Sequence, residues 1–129
     1  MTTVQFDAGS MVPLYQQVAD QLTAAIRSGV YPEDAQIPST TEMSRQYQLN
    51  PATVLKGMNV LVNEGLVVKR RGLGMFVATG AQQVLQKQQR SAFFAEQLPA
   101  LINAAKELGI SRGDLIAAMQ ADQETEEDS

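Results

Sequence analysis

Between Pro38 and Val77 this chain starts a helix twice and then turns a cationic hairpin, and few folds accommodate that order. The first start is Ser39-x-x-Glu42, a capping box. The Ser hydroxyl can accept from the backbone N–H of Glu42, and the Glu carboxylate can reach back to the N–H of Ser39. The second start is Asn50-Pro51. Asn is a favoured N-cap, and Pro at the first helical position has no N–H to leave unpaired. The first helix is therefore short, from near Thr40 to Tyr47. The second is expected from Pro51 to Glu64, closed by Gly65. Val54, Met58, Leu61 and Val62 form one apolar stripe on it, and Ala52, Thr53, Lys56 and Asn59 lie opposite. A capped helix with a small, polar and basic outer face suits the major groove of DNA, where first-turn side chains reach base edges.

Two β-rich runs follow, Leu66–Lys69 and Met75–Ala78, with Arg70-Arg71-Gly72-Leu73-Gly74 between them. The glycines permit a tight hairpin turn. Lys69, Arg70 and Arg71 at its tip are expected to meet phosphate or the minor groove. Ala35-Gln36-Ile37 is expected to add a third short strand to this sheet before Pro38 stops it.

At this point the sequence resembles the GntR family of bacterial transcription regulators, and within it the YtrA-like branch with a very short C-terminal region. The resemblance runs from about Pro13 to Val77. It is carried by Pro13-Leu14-Tyr15-Gln16-Gln17-Val18, Ile26-Arg27-Ser28-Gly29, Ile37-Pro38-Ser39, Leu49-Asn50-Pro51-Ala52-Thr53-Val54, Leu61-x-x-Glu64-Gly65-Leu66-Val67 and Arg71-Gly72-x-Gly74-x-Phe76-Val77. Each piece is weak alone, and the order and spacing together are specific. The resemblance implies a winged helix-turn-helix that binds a palindromic operator as a dimer. Two positions depart from the pattern. The family usually has a DNA-contacting Arg where this chain has Thr41, and Ala where it has Gly57.

The candidate DNA-binding residues are Ser39, Thr40 and Thr41, Asn50, Pro51, Ala52, Thr53 and Lys56, and Lys69, Arg70, Arg71 and Gly72. Ser39 and Thr41 sit where free N–H groups and the helix dipole favour phosphate. Blander roles stand beside these. Asn50 is first a helix cap, a charge cluster such as Lys69–Arg71 is often just a solvated turn, and Tyr15 is read as packing or a surface hydroxyl, with a phosphate contact as the minority reading.

The remaining chain reads as helices. Met1–Val12 is a loosely held lead-in from which Phe6 docks on the body. Pro13 opens a helix to about Ser28, with Leu14, Val18, Leu22, Ala25 and Ile26 on one face and Gly29 ending it. A helix is expected from Ala81 to about Gln97, with Pro99 ending or kinking it near Leu98. An α-helical hairpin then follows, capped in the middle by Gly109 and by a second box, Ser111-x-x-Asp114. Such a hairpin is too thin for a core of its own. Phe94, Leu98, Leu101, Ile102, Ala105, Leu108, Leu115, Ile116 and Met119 are accordingly expected to meet the same residues of a second copy across a two-fold axis. The competing arrangement folds them back on the same chain. The expected division is a winged helix-turn-helix domain over residues 1–79, a helical dimerisation region over 80–121, and an acidic disordered tail over 122–129. The fold class is mainly α with a small antiparallel β wing.

Charge bears on the partner. The net charge is −4, yet residues 1–80 hold six Lys/Arg and six Asp/Glu, while residues 81–129 hold four and eight. The acidic excess thus lies wholly outside the proposed DNA-binding half, and local charge is what phosphate feels. With no Cys and no His, disulfides and thiolate zinc sites are excluded. No run is long and apolar enough for a membrane span, and no signal peptide is seen, so a cytoplasmic site is expected. The carboxylates are framed by no nucleophile or nucleotide loop, and neither enzymatic activity nor a cofactor is expected. The leading expectation is a homodimeric DNA-binding repressor. A winged-helix protein–protein interaction module is the rival. No large effector pocket is expected within one subunit, and a small one between subunits is left open.

Overall fold

Helix α1 (Leu14–Arg27) and helix α3 (Pro51–Asn63) cross closely, and the residue that lets them do so is Gly57. The computed structural model describes the backbone of residues 6–127 and the side chains of residues 6–122. A Cβ at Gly57 would stand 2.7 Å from the carbonyl oxygen of Tyr15 and 2.8 Å from Cβ of Val18. Distances that short do not occur between real Cβ atoms and such neighbours, so the crossing requires a residue without a side chain. Around it Val18, Leu22 and Ile26 of α1 meet Val54, Met58 and Leu61 of α3, all buried. Helix α2 (Thr40–Tyr47) adds Met43 to the same core.

The helix ends follow the sequence closely. Ser39 Oγ accepts from Glu42 N–H at 3.0 Å and Asn50 Oδ1 from Ala52 N–H at 2.8 Å. Among the described residues only this half of the Ser39 capping box forms. Helix α3 stops with Gly65 at φ +80°, its N–H donating to Val62 O and that of Leu66 to Leu61 O. That is the double bond pattern of a Schellman ending, and α1 and the helix Leu98–Glu107 stop the same way at Gly29 and Gly109.

Strands β1 (Val67–Arg70) and β2 (Gly74–Val77) pair antiparallel in the register Val67↔Val77 to Arg70↔Gly74. Val67 and Val77 close the core at the base of this wing. The expected third strand is reduced to a single bridge, Gln36↔Phe76. Ile37 N–H donates to Met75 O and Val77 N–H to Ala35 O, but Pro38 has no N–H with which to continue the ladder. Residues 6–12 are held more firmly than expected. The Gln17 side chain accepts from Asp7 N–H and donates to Asp7 O and Val12 O, and Phe6 stacks edge-on against Tyr47 at 5.1 Å. Met1–Gln5 lie outside the described residues.

The chain divides into two compact units, Met1–Lys87 and Gln88–Ser129. The division falls inside helix α4 (Ala81–Ala92), beyond the Thr79-Gly80 link where a boundary was expected. The reason is that Ala81 and Leu85 are buried in the first unit's core. Gln82 Nε2 also donates to Ile26 O at 2.6 Å, and Thr79 Oγ1 to Asp34 Oδ1 at 2.6 Å.

In the second unit Pro99 neither breaks nor ends the helical path. A π-helical turn, Phe93–Gln97, separates α4 from helix α5 (Leu98–Glu107), with Leu98 N–H donating to Phe93 O. Pro99 thereby falls in the first turn of α5, where a missing N–H is tolerated. Both halves of the Ser111/Asp114 box form, at 3.3 and 3.1 Å, and open helix α6 (Arg112–Glu127). The helix therefore runs through most of the segment expected to be disordered, because no Gly or Pro interrupts it after Gly113. Asp128 and Ser129 lie outside the described residues.

Gly57→Ala is expected to lower stability by about 1–2 kcal/mol. Overpacking a tight contact costs roughly 1–3 kcal/mol, which outweighs the ~0.5–1 kcal/mol that Ala gains over Gly within a helix. Thermal unfolding followed by circular dichroism checks this, and a midpoint equal to or above wild type would show that α1 moves aside freely.

Candidate nucleic-acid interface

The apolar stripe of α3 decides which of its side chains can reach a ligand. With Val54, Met58 and Leu61 fully buried, Pro51 and Ala52 of the first turn and Lys56 one turn on face outward, and Thr53 lies half-buried at their edge. Asn50 is exposed, with its side-chain oxygen engaged as the cap. The cap and Pro51 leave the helix N-terminus free of bulky side chains.

Tyr15 of α1 stands beside this turn, brought there by the close crossing at Gly57. Lys56 Nζ lies 4.1 Å from the centre of the Tyr15 ring. Such cation–π placement holds a flexible ammonium over an aromatic face. Leu14, Tyr15, Ala52, Thr53 and Lys56 line one shallow open concavity of about 280 Å³. The sequence offered Tyr15 as packing or a surface hydroxyl, with a phosphate contact as the lesser alternative. Its place next to Lys56 depends on two helices far apart in the chain, and the only local hint was a glycine in α3.

The N-terminus of α2 is less uniform than expected. Ser39 and Thr41 are exposed, but Thr40 is half-buried with its hydroxyl 3.5 Å from Met58 Sδ. Thr40 thus faces the core side of α2. The turn to α3 is tightened by Gln48 at φ +54° and by Ser44 Oγ donating to Leu49 O at 2.5 Å.

The wing does not present three equivalent cations. Strand residues alternate faces, so Lys69, opposite Met75, and Arg70, opposite Gly74, leave the sheet on different sides. Arg70 lies over the ring of Phe76 with its guanidinium carbon 4.4 Å from the ring centre. Arg71 sits in the turn itself, beside Gly72 at φ +78°, and the turn is closed by Leu73 N–H donating to Arg70 O at 2.9 Å. All three cations are exposed. The single cationic fingertip read from the sequence is therefore one tip cation, one cation stacked on the sheet face and one on the other face.

In the second unit, Phe94, Leu101, Ile102, Leu108, Ile116 and Met119 are exposed, Leu98 and Leu115 are half-buried, and Ala105 is 5% exposed. An apolar groove of about 630 Å³ lies between α5 and α6, lined among others by Leu98, Leu101, Ile102, Leu115, Ile116 and Met119. It is larger than one subunit was expected to offer. Ala105 belongs to this groove as a buried small residue, and so differs from its exposed neighbours in the expected interface. Among the described residues no three acidic, His or Cys side chains come together as metal ligands, and no helix is long and apolar enough to cross a membrane.

Residues 14–77 match the family described as bacterial regulatory proteins, gntR family. The chain is similar to the uncharacterized HTH-type transcriptional regulator YhcF of Bacillus subtilis (strain 168), with 30% identity over 112 residues, covering 86% of this chain and 90% of YhcF. It is similar also to the HTH-type transcriptional repressor YtrA of the same organism, with 29% identity over 107 residues, covering 83% of this chain and 82% of YtrA. Among solved structures, a GntR-family transcriptional regulator from Bacteroides thetaiotaomicron superposes with a TM-score of 0.66 at 27% identity, covering 87% of this chain and 97% of its own. The structure of AraR(DBD) in complex with operator ORX1 matches with a TM-score of 0.55 at 32% identity, covering 59% of this chain and 95% of AraR(DBD). With its helix-turn-helix, its wing and its helical C-terminal region, this chain belongs to the GntR family of bacterial transcription regulators and is of the YtrA-like kind.

Proposed function

We propose that the protein is a repressor that binds a palindromic operator as a homodimer in the cytoplasm. The observation that carries the reading is the exposed N-terminal two turns of α3. There a capped, unobstructed helix end carries Ala52, Thr53 and Lys56 on one rim. In this reading α3 enters the major groove, where a methyl or hydroxyl from Ala52 or Thr53 meets a base edge and Lys56 donates to phosphate or guanine. Ser39 and Thr41 face the backbone at the N-terminus of α2, where N–H groups and the dipole favour phosphate. Arg71 at the wing tip reaches the minor groove, with Lys69 and Arg70 flanking it. The match to AraR(DBD), solved with an operator, supports duplex DNA as the partner. The similarity to a protein named as a repressor, YtrA, supports the sign of regulation.

The second copy is argued from the tail. Among the described residues the groove between α5 and α6 is open and apolar. Leu101, Leu108 and Met119 are 53%, 75% and 64% exposed, which is a large apolar surface for a helical hairpin to leave wet. A two-fold partner uses the same patch twice and sets two recognition helices against two half-sites. In this reading the groove is filled by the partner's side chains, and an effector, if the protein uses one, sits between subunits.

An operator duplex can be recovered by sequencing genomic fragments that the purified protein retains, and binding then followed by fluorescence anisotropy across a salt series. Arg71→Ala is expected to weaken all sequences and to lower the slope of log affinity against log salt by about one unit. Thr53→Ala is expected to change preference at one half-site base pair by on the order of 1 kcal/mol while leaving that slope alone. Wild-type binding that ignores salt would favour a protein-interaction module instead. For the dimer, Leu101→Asp with Met119→Asp is expected to convert a sedimenting dimer into a monomer that keeps its helical spectrum. A dimer that survives both charges would place the interface elsewhere.

A further inference from the structure

The wing is braced in two ways, and the second depends on a single side chain. The backbone brace ends at Ile37, whose N–H donates to Met75 O at 3.0 Å, because Pro38 follows. Beyond that point the hairpin has only its own two strands, and a lone two-stranded hairpin is marginal in water. Gln36 reaches past the end of the ladder. Its Nε2 donates to Leu73 O at 2.8 Å, inside the turn itself. Gly74 makes room for that reach, since a Cβ there would stand 2.6 Å from Gln36 Nε2. The backbone of Gln36 pairs with Phe76 at the same time. One residue therefore holds the wing both along its strand and at its tip.

We propose that Gln36 is a positioning residue that fixes the wing turn, so that Arg71 is presented in one conformation before DNA arrives. The inference rests on the reading of the wing as a DNA contact. The turn needs the fixing because Gly72 lies between Arg71 and Leu73 and Gly74 follows, and glycine admits many backbone states. A turn that must be ordered on binding weakens the complex by the entropy of that ordering. One neutral hydrogen bond that removes this burden is expected to change affinity by about 3- to 10-fold.

The test uses the full chain and a duplex recovered by selection from a random-sequence library. Gln36→Met keeps the length of the side chain and removes the donor. It is expected to weaken binding about 3- to 10-fold, with the salt slope unchanged because no phosphate contact is lost. In an Arg71→Ala background the same substitution is expected to change affinity less than about twofold, because the residue it positions is gone. Backbone ¹⁵N relaxation of the free protein supplies a readout independent of DNA, and Gly72 and Leu73 are expected to become more mobile in Gln36→Met. Equal losses in the two backgrounds, or unchanged relaxation at the turn, would overturn the proposal. If Arg71→Ala weakens binding and Gln36→Met does not, the positioning role fails and the wing contact stands. If Arg71→Ala itself is silent, the wing contact fails and takes the positioning role with it.

Discussion

The contact between Gly57 and the backbone of α1 is the constraint on which the first unit depends. It brings two helix backbones together where any side chain would hold them apart. From that crossing follow the burial of Val54, Met58 and Leu61, and hence the rotation of α3 about its axis. That rotation leaves Ala52 and Lys56 facing outward at the capped end. The same crossing places the Tyr15 ring under Lys56, which gives the outer rim a residue from a different helix. A helix-interior glycine is locally unfavourable, by roughly 0.5–1 kcal/mol against Ala, and here the lost propensity is offset by packing that no larger residue permits.

The two units are held by different means. In the first, fourteen buried hydrophobic residues among those described, from six elements and the loops between them, form one cluster, and the wing closes it. In the second, the two hairpin helices keep most of their apolar side chains at the surface, and among the described residues only Ala105 is buried. Their order comes from backbone devices instead: the Schellman ending at Gly109, the reciprocal Ser111/Asp114 cap and the π turn that takes in Pro99. In the proposed dimer it is this apolar surface that a second copy would cover.

Much of this was legible in the chain itself because the signals are local. Ser39, Asn50, Gly65, Gly109 and the Ser111/Asp114 pair each act within one turn, and each ended or began a helix where expected. What the sequence hid depends on distance or on alternation. Ala35–Ile37 has strand composition but only one residue forms a bridge, because Pro38 cuts the ladder. Lys69, Arg70 and Arg71 are consecutive, and consecutive strand residues cannot share a face. Tyr15 meets Lys56 only through the α1–α3 crossing. Pro99 was expected to end or kink the helix near Leu98, and a π turn just before Leu98, which no short pattern announces, took it into the first turn of the next helix. The acidic composition of residues 122–129 suggested disorder, although nothing in it interrupts helical hydrogen bonding as far as Glu127.

The most direct test is chemical-shift mapping of the ¹⁵N-labelled full chain titrated with its selected operator duplex. The largest changes are expected in Ser39–Thr41, Asn50–Lys56 and Arg70–Leu73, with the buried Val18–Ile26 stretch of α1 little affected. Changes confined to α5 and α6, with Asn50–Lys56 undisturbed at saturating duplex, would contradict the assignment of α3 to the DNA.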